Sequence, residues 1–101
     1  MKVVFSTRFR DDLAEAADYY RRISDRLAAD FVERVKSTVR TVIKWGGGDH
    51  VGPHGFPCRR CRPFPYLVYY EVSDDTLHVL ALVQERRHPD HLKPRAERGD
   101  V

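Results

Sequence analysis

Cysteine, methionine and tryptophan are scarce in this chain: two, one and one among 101 residues. Two cysteines cannot frame a disulfide-stapled miniprotein, so the fold must rest on packing. No apolar run approaches the ~18 residues that a membrane helix requires. Residues 1–9 lack the charge, apolar stretch and cleavage site of a signal peptide, and they read directly into structure. The expectation is a cytoplasmic protein with no membrane partner. No internal repeat, low-complexity tract or linker divides the sequence. It reads as one domain over residues 1–101, with a polar tail from about residue 89 as either a short helix or a loose end.

Hydrophobic residues make up 42% of the chain, too many for a disordered one. Net charge is +3. Its distribution is more informative than its size. Arg59, Arg60 and Arg62 form one cluster. Arg86 and Arg87 form a second beside His88, and Lys93, Arg95 and Arg98 follow in the tail. Such clusters suit an acidic or polyanionic partner, or else a solvated basic surface.

Residues 2–6 read as a short strand. Ser6 can cap the helix that follows, with Asp11 and Asp12 near its positive end. Phe9, Leu13, Ala16, Ala17, Tyr20 and Ile23 recur at helical spacing and predict a helix over 7–23. Ser24 or Asp25 offers a new cap. Leu27, Phe31, Val35, Val39, Val42 and Ile43 predict a second helix over 25–45, folded back on the first as an antiparallel hairpin. Three glycines, 46–48, stop it. Trp45, just before them, is expected to be a lid on the core.

Residues 46–57 hold five glycines and two prolines and read as a loop. Strands are predicted at 58–62, 66–72 and 76–84, with a bend where Pro63 and Pro65 flank Phe64 and a turn at Ser73-Asp74-Asp75. Alternation on the last strand groups Leu77, Val79, Ala81 and Val83 on one face. His78, Leu80, Leu82 and Gln84 fall on the other, as in a central strand covered on both sides. The predicted order is β-α-α-β-β-β. This is an α+β domain of two layers, with the helical hairpin on one face of a small, mainly antiparallel sheet and the arginines on the other. Tyr66, Tyr69 and Tyr70 are expected to be packing residues, and His78 a structural histidine.

Several segments carry a family resemblance. Val4-Phe5-Ser6, Asp18-Tyr19-Tyr20, Leu27-Ala28-Ala29-Asp30-Phe31, Phe64-Pro65-Tyr66 with Tyr69-Tyr70, and Arg86-Arg87-His88-Pro89 occur in the order and spacing of the RelE/ParE toxins. They are most similar to the ParE-like, plasmid-stabilisation branch. The chain departs from the family pattern at Thr7, Gln84 and Leu92, where a proline, a histidine and an aromatic are common. The resemblance implies the toxin half of a type II toxin–antitoxin pair, bound in a hetero-oligomer by a cognate antitoxin that wraps it. In the ParE-like branch the target is DNA gyrase, and growth inhibition needs a binding surface rather than chemistry. In the RelE-like branch the toxin is an endoribonuclease that cuts mRNA on the ribosome. A relative that only binds antitoxin is a third alternative.

Arg59, Arg60, Arg62, Arg86, Arg87 and Pro89 are the expected surface for target or antitoxin. RNA cleavage would need a base, an acid and cations around the developing phosphorane charge. Glu71 or Glu85, His88 or His91, and Arg60, Arg62, Arg86 and Arg87 are the candidates. Gln84 in place of histidine, and no tyrosine after Arg87, weigh against it. His50, His54, Cys58 and Cys61 have zinc-like spacing, His-x3-His-x3-Cys-x2-Cys. A regular strand at 58–62 would put the two thiols on opposite sides, so no metal and no cofactor is expected. The second helix carries Arg34, Lys36, Arg40 and Lys44 but no helix-turn-helix pattern, so DNA recognition is not expected.

Overall fold

The computed structural model describes residues 1–85; Arg86, Arg87, His88, Pro89 and His91 lie outside them. Along the described chain run β1 (Lys2–Phe5), α1 (Thr7–Arg21), α2 (Asp25–Trp45), β2 (Cys58–Arg60), β3 (Tyr66–Ser73) and β4 (Thr76–Gln84). The predicted order and class hold, and each boundary lies within two residues of its expected place.

Each helix begins at a serine. The Ser6 Oγ accepts from the Phe9 N–H at 3.0 Å, and the Ser24 Oγ from the Leu27 N–H at 2.9 Å. Either hydroxyl satisfies a donor that the first turn leaves unpaired, worth about 1 kcal/mol. Gly46 ends α2 in the left-handed region at φ 70°. The N–H groups of Gly46 and Gly47 return to the Ile43 and Val42 carbonyls.

The four strands are ordered β1-β4-β3-β2. β1 runs parallel to β4, and the other two pairings are antiparallel. The α1–α2 hairpin covers one face. Phe9, Ala16, Ala17 and Tyr20 of α1 and Phe31, Val35, Val39 and Val42 of α2 meet Val68, Tyr70, Leu77, Val79 and Leu82 of the sheet. An aromatic cluster anchors the far end. The Phe31 ring, fully buried, lies 4.9 Å from Tyr20 and 5.1 Å from both Phe64 and Tyr66.

The strand alternation expected for β4 fails midway. Tyr69 pairs with Ala81 but Tyr70 pairs with Val79, so Leu80 is an extra residue in a β-bulge. Beyond it the faces exchange. Leu82, not Ala81, joins Leu77 and Val79 in the core, and Ala81 and Val83 are only half-buried on the far side. Two helix side chains hold the bulge. The Ser6 hydroxyl donates to the Leu80 carbonyl at 2.7 Å, and the Asp12 Oδ2 accepts from the Leu82 N–H at 3.0 Å. Asp12 thus serves the sheet, and no acidic residue lies in the first turn of α1.

Trp45 also departs from expectation. It is 69% exposed and covers nothing. The lid position is taken by backbone. A Cβ on Gly47 would stand 3.4 Å from Val72 and 3.6 Å from the Tyr70 ring, so the glycine segment itself closes that end of the core.

Candidate functional site

The arginines do not share a face. Arg59 pairs with Val68 and lies on the helix side of β2, whereas Arg60 pairs with Leu67 and lies on the other side. Each is tied within the chain. Arg59 reaches the Asp49 carboxylate at 2.9 Å, and Arg60 reaches Glu85 at 2.9 Å. Arg62 is exposed in the turn before Pro63. The expectation that one open face carries the arginines is corrected, because adjacent residues on a strand point to opposite faces.

Asp49 was not singled out in the sequence. It accepts from the Tyr70 hydroxyl at 2.7 Å with one oxygen and from Arg59 with the other, and its N–H donates to the Tyr70 hydroxyl at 3.2 Å. It pins the loop after α2 to the sheet. No local motif could have marked it, since both partners are distant in sequence.

The loop then folds into a small hairpin beside β2. Val51 bridges Pro57, the Cys58 N–H donates to the His50 carbonyl at 3.2 Å, and the Gly52 N–H donates to the Phe56 carbonyl at 2.8 Å. The hairpin covers the edge of β2, while the outer edge of β1 meets no other described strand. His54 stacks edge-on against Tyr69 at 5.1 Å. The Tyr69 hydroxyl shares a hydrogen bond with the Cys58 thiol, and burial raises the pKa of both groups.

Gly52 is what allows this seat. A Cβ there would stand 2.8 Å from the Cys58 sulfur and 2.9 Å from the Tyr69 hydroxyl. Gly52→Ala is therefore expected to cost about 1–3 kcal/mol through overpacking. In a Cys58→Ala, Tyr69→Phe background the cost should be smaller, because both clashing atoms are gone. Urea unfolding of the four variants measures this. An equal cost in both backgrounds would show that the close contact is not the cause.

The four zinc-spaced residues are not brought together. Cys58 faces Tyr69, while Cys61 is fully buried in the core under the helices. Among the described residues no three of His, Cys, Asp or Glu are grouped to hold a metal. The two described base candidates also lie apart. Glu71 stands opposite His78 in the register, and Glu85 is paired with Arg60. From Leu67, opposite Arg60, to Glu71 is four residues, roughly 13 Å along the strand. His88, His91, Arg86 and Arg87 lie outside the described residues.

A groove of about 380 Å³ runs between α1 and the end of β4. Arg8, Asp12, Glu15, Tyr19 and Arg22 rim it, and Leu82 lies in its lining. Tyr19 is half exposed beside it, in edge-on contact with Tyr20 at 5.1 Å. The lining is mostly polar, with Ala16, Leu82 and Val83 supplying its apolar part. No described helix is long and apolar enough to cross a membrane.

Comparison with known proteins agrees with this geometry. Residues 3–89 match the family model described as ParE toxin of type II toxin-antitoxin system, parDE. No curated protein matches the chain. Among solved structures, one titled "Chromosomal ParDE TA system from P. aeruginosa" superposes with a TM-score of 0.70 at 18% identity, covering 83% of this chain and 95% of that one. At that identity the likeness concerns the fold. The family match spans most of the sequence, including strands, helical hairpin and the closing arginines: the chain belongs to the ParE toxin family of type II toxin–antitoxin systems.

Proposed function

We propose that the chain is a growth inhibitor that acts on DNA gyrase and is neutralised by a cognate antitoxin. The observation that carries this reading is the match of residues 3–89 to the ParE toxin family model, the branch in which inhibition rests on binding. Arg59 and Arg60 are already engaged with carboxylates of the same chain. An inhibitor that works by binding needs surfaces, and the described residues supply them. The α1–β4 groove offers charged and polar side chains beside Leu82. The outer edge of β1, which meets no other described strand, offers backbone groups to an extended antitoxin segment. Arg60 and Arg62, with Arg86, Arg87 and Pro89 further along the chain, form the proposed cationic contact with antitoxin or target. Assembly as a hetero-oligomer with antitoxin, in the cytoplasm, completes the reading.

The test is brief induction without antitoxin, following DNA and protein synthesis together. DNA synthesis is expected to fail first, and the Arg86→Ala, Arg87→Ala double variant is expected to fold yet not arrest growth. Earlier failure of protein synthesis would transfer the proposal to mRNA cleavage on the ribosome. Soluble protein with neither effect would mean a relative that only binds antitoxin.

A further inference from the structure

The C-terminal half of α2 carries a surface that neither the groove nor the arginine strand uses. Between Arg34 and Trp45 lie four exposed cations, Arg34, Lys36, Arg40 and Lys44, and no acid. Arg40 pairs with Glu33, the residue that immediately precedes this stretch; Arg34, Lys36 and Lys44 form no ion pair with any described residue. Lys36, Arg40 and Lys44 recur every four residues, so they line the helix at steps of about 6 Å. At its end stands Trp45, 69% exposed, with the Lys44 ammonium 5.8 Å from the ring centroid.

The helix macrodipole accounts for part of this. Acids Asp25, Asp30 and Glu33 all fall in the first half of α2, and most of its bases lie toward the end, as the dipole favours. It does not account for an indole left in water. Tryptophan and arginine are the residues most enriched among binding hot spots. The presentation is also rigid. Val35, Val39 and Val42 are buried beneath the stretch, and the Gly46 and Gly47 N–H groups close its last turn. Little freedom would be lost on binding.

We propose that this half of α2 docks a protein whose surface offers an apolar pocket for Trp45 within an acidic rim. The partner is the arrested target rather than the antitoxin, so the inference rests on the function proposed above. The exposed indole favours a protein over a nucleic acid, because a duplex backbone offers it no apolar pocket.

The experiment titrates the full chain against immobilised purified DNA gyrase, beside Trp45→Ala and a Lys36→Gln, Lys44→Gln double variant, with a 30-base-pair duplex as the second probe. Trp45→Ala is expected to keep its melting temperature and to bind gyrase at least about tenfold more weakly. The lysine variant is expected to bind several-fold more weakly at low salt, with a flatter salt dependence. If the parent binds gyrase and Trp45→Ala binds as tightly, the docking surface is wrong and the gyrase reading stands. If the parent does not bind gyrase, that reading falls, and growth arrest decides the surface: arrest lost in Trp45→Ala supports it toward another protein, and arrest retained overturns it. Weakening confined to the duplex identifies a nucleic-acid contact and overturns it as well.

Discussion

Phe31→Ala should remove about half or more of the protein's folding stability. The ring is fully buried and stands within about 5 Å of Tyr20, Phe64 and Tyr66, where both helices meet the turn into β3. Truncating a buried phenylalanine costs about 3–5 kcal/mol. A domain of this size has roughly 5–10 kcal/mol in total. Three rings held at edge-on or tilted angles cannot all move into the space left behind, so the upper part of the range applies. The melting temperature is expected to fall by roughly 15–30 °C. A melt by circular dichroism settles it. A fall of only a few degrees would mean that the aromatic cluster is not the keystone of the packing.

A second large effect is expected at alkaline pH. Burial pushes the Cys61 thiol up to about 11 from its ordinary 9.0, and burial with the neighbouring Asp49 carboxylate pushes Tyr70 up to about 12 from 10.0. Both groups are more acidic in the unfolded chain. Their contribution is therefore fully present below about pH 9, and it is lost as pH rises through 9 to 11 for Cys61 and 10 to 12 for Tyr70. Each shift is equivalent to roughly 2–3 kcal/mol, so together they approach the whole stability of a small domain. Urea midpoints should be level up to about pH 8.5 and drop steeply above it. Cys61→Ala should make the decline above about pH 9 shallower, with the Cys58 thiol and the tyrosines still contributing. A midpoint unchanged at pH 11 would contradict the burial of both groups.

The elements of this fold were written locally, in signals a reader of the sequence can use. Ser6 and Ser24 open the helices, glycines 46–48 close the second, and paired apolar spacing gives both. What the sequence hid was set by distant partners. The bulge at Leu80 depends on the Ser6 hydroxyl and the Asp12 carboxylate, 74 and 70 positions away from the groups they bond. Without it, strict alternation assigned Leu82 to the wrong face. Trp45 was read as a lid because tryptophans before helix ends usually cover something, yet the Gly47 backbone fills that place. The candidate surface was legible in part. The arginine cluster was visible, but Asp49 and Glu85 engage two of its members, and no local pattern announces a salt bridge across strands. The unpaired cations of α2 were seen only as a poor match to a DNA-reading helix.

The parallel partnership of β1 with β4 has a consequence in time. β1 is made before the other described strands, has no described partner other than β4, and among the strands α1 packs mainly on β4 as well. The α1–α2 hairpin can form while the chain is still growing, but the sheet cannot close until β4 has been released. At about 5–20 residues per second, several seconds separate β1 from its one described neighbour. During that interval the nascent chain has helices but no finished sheet, and so neither the α1–β4 groove nor a paired β1. If the chain inhibits growth as proposed, a polypeptide cut short before β4 lacks both surfaces and is expected to be inert.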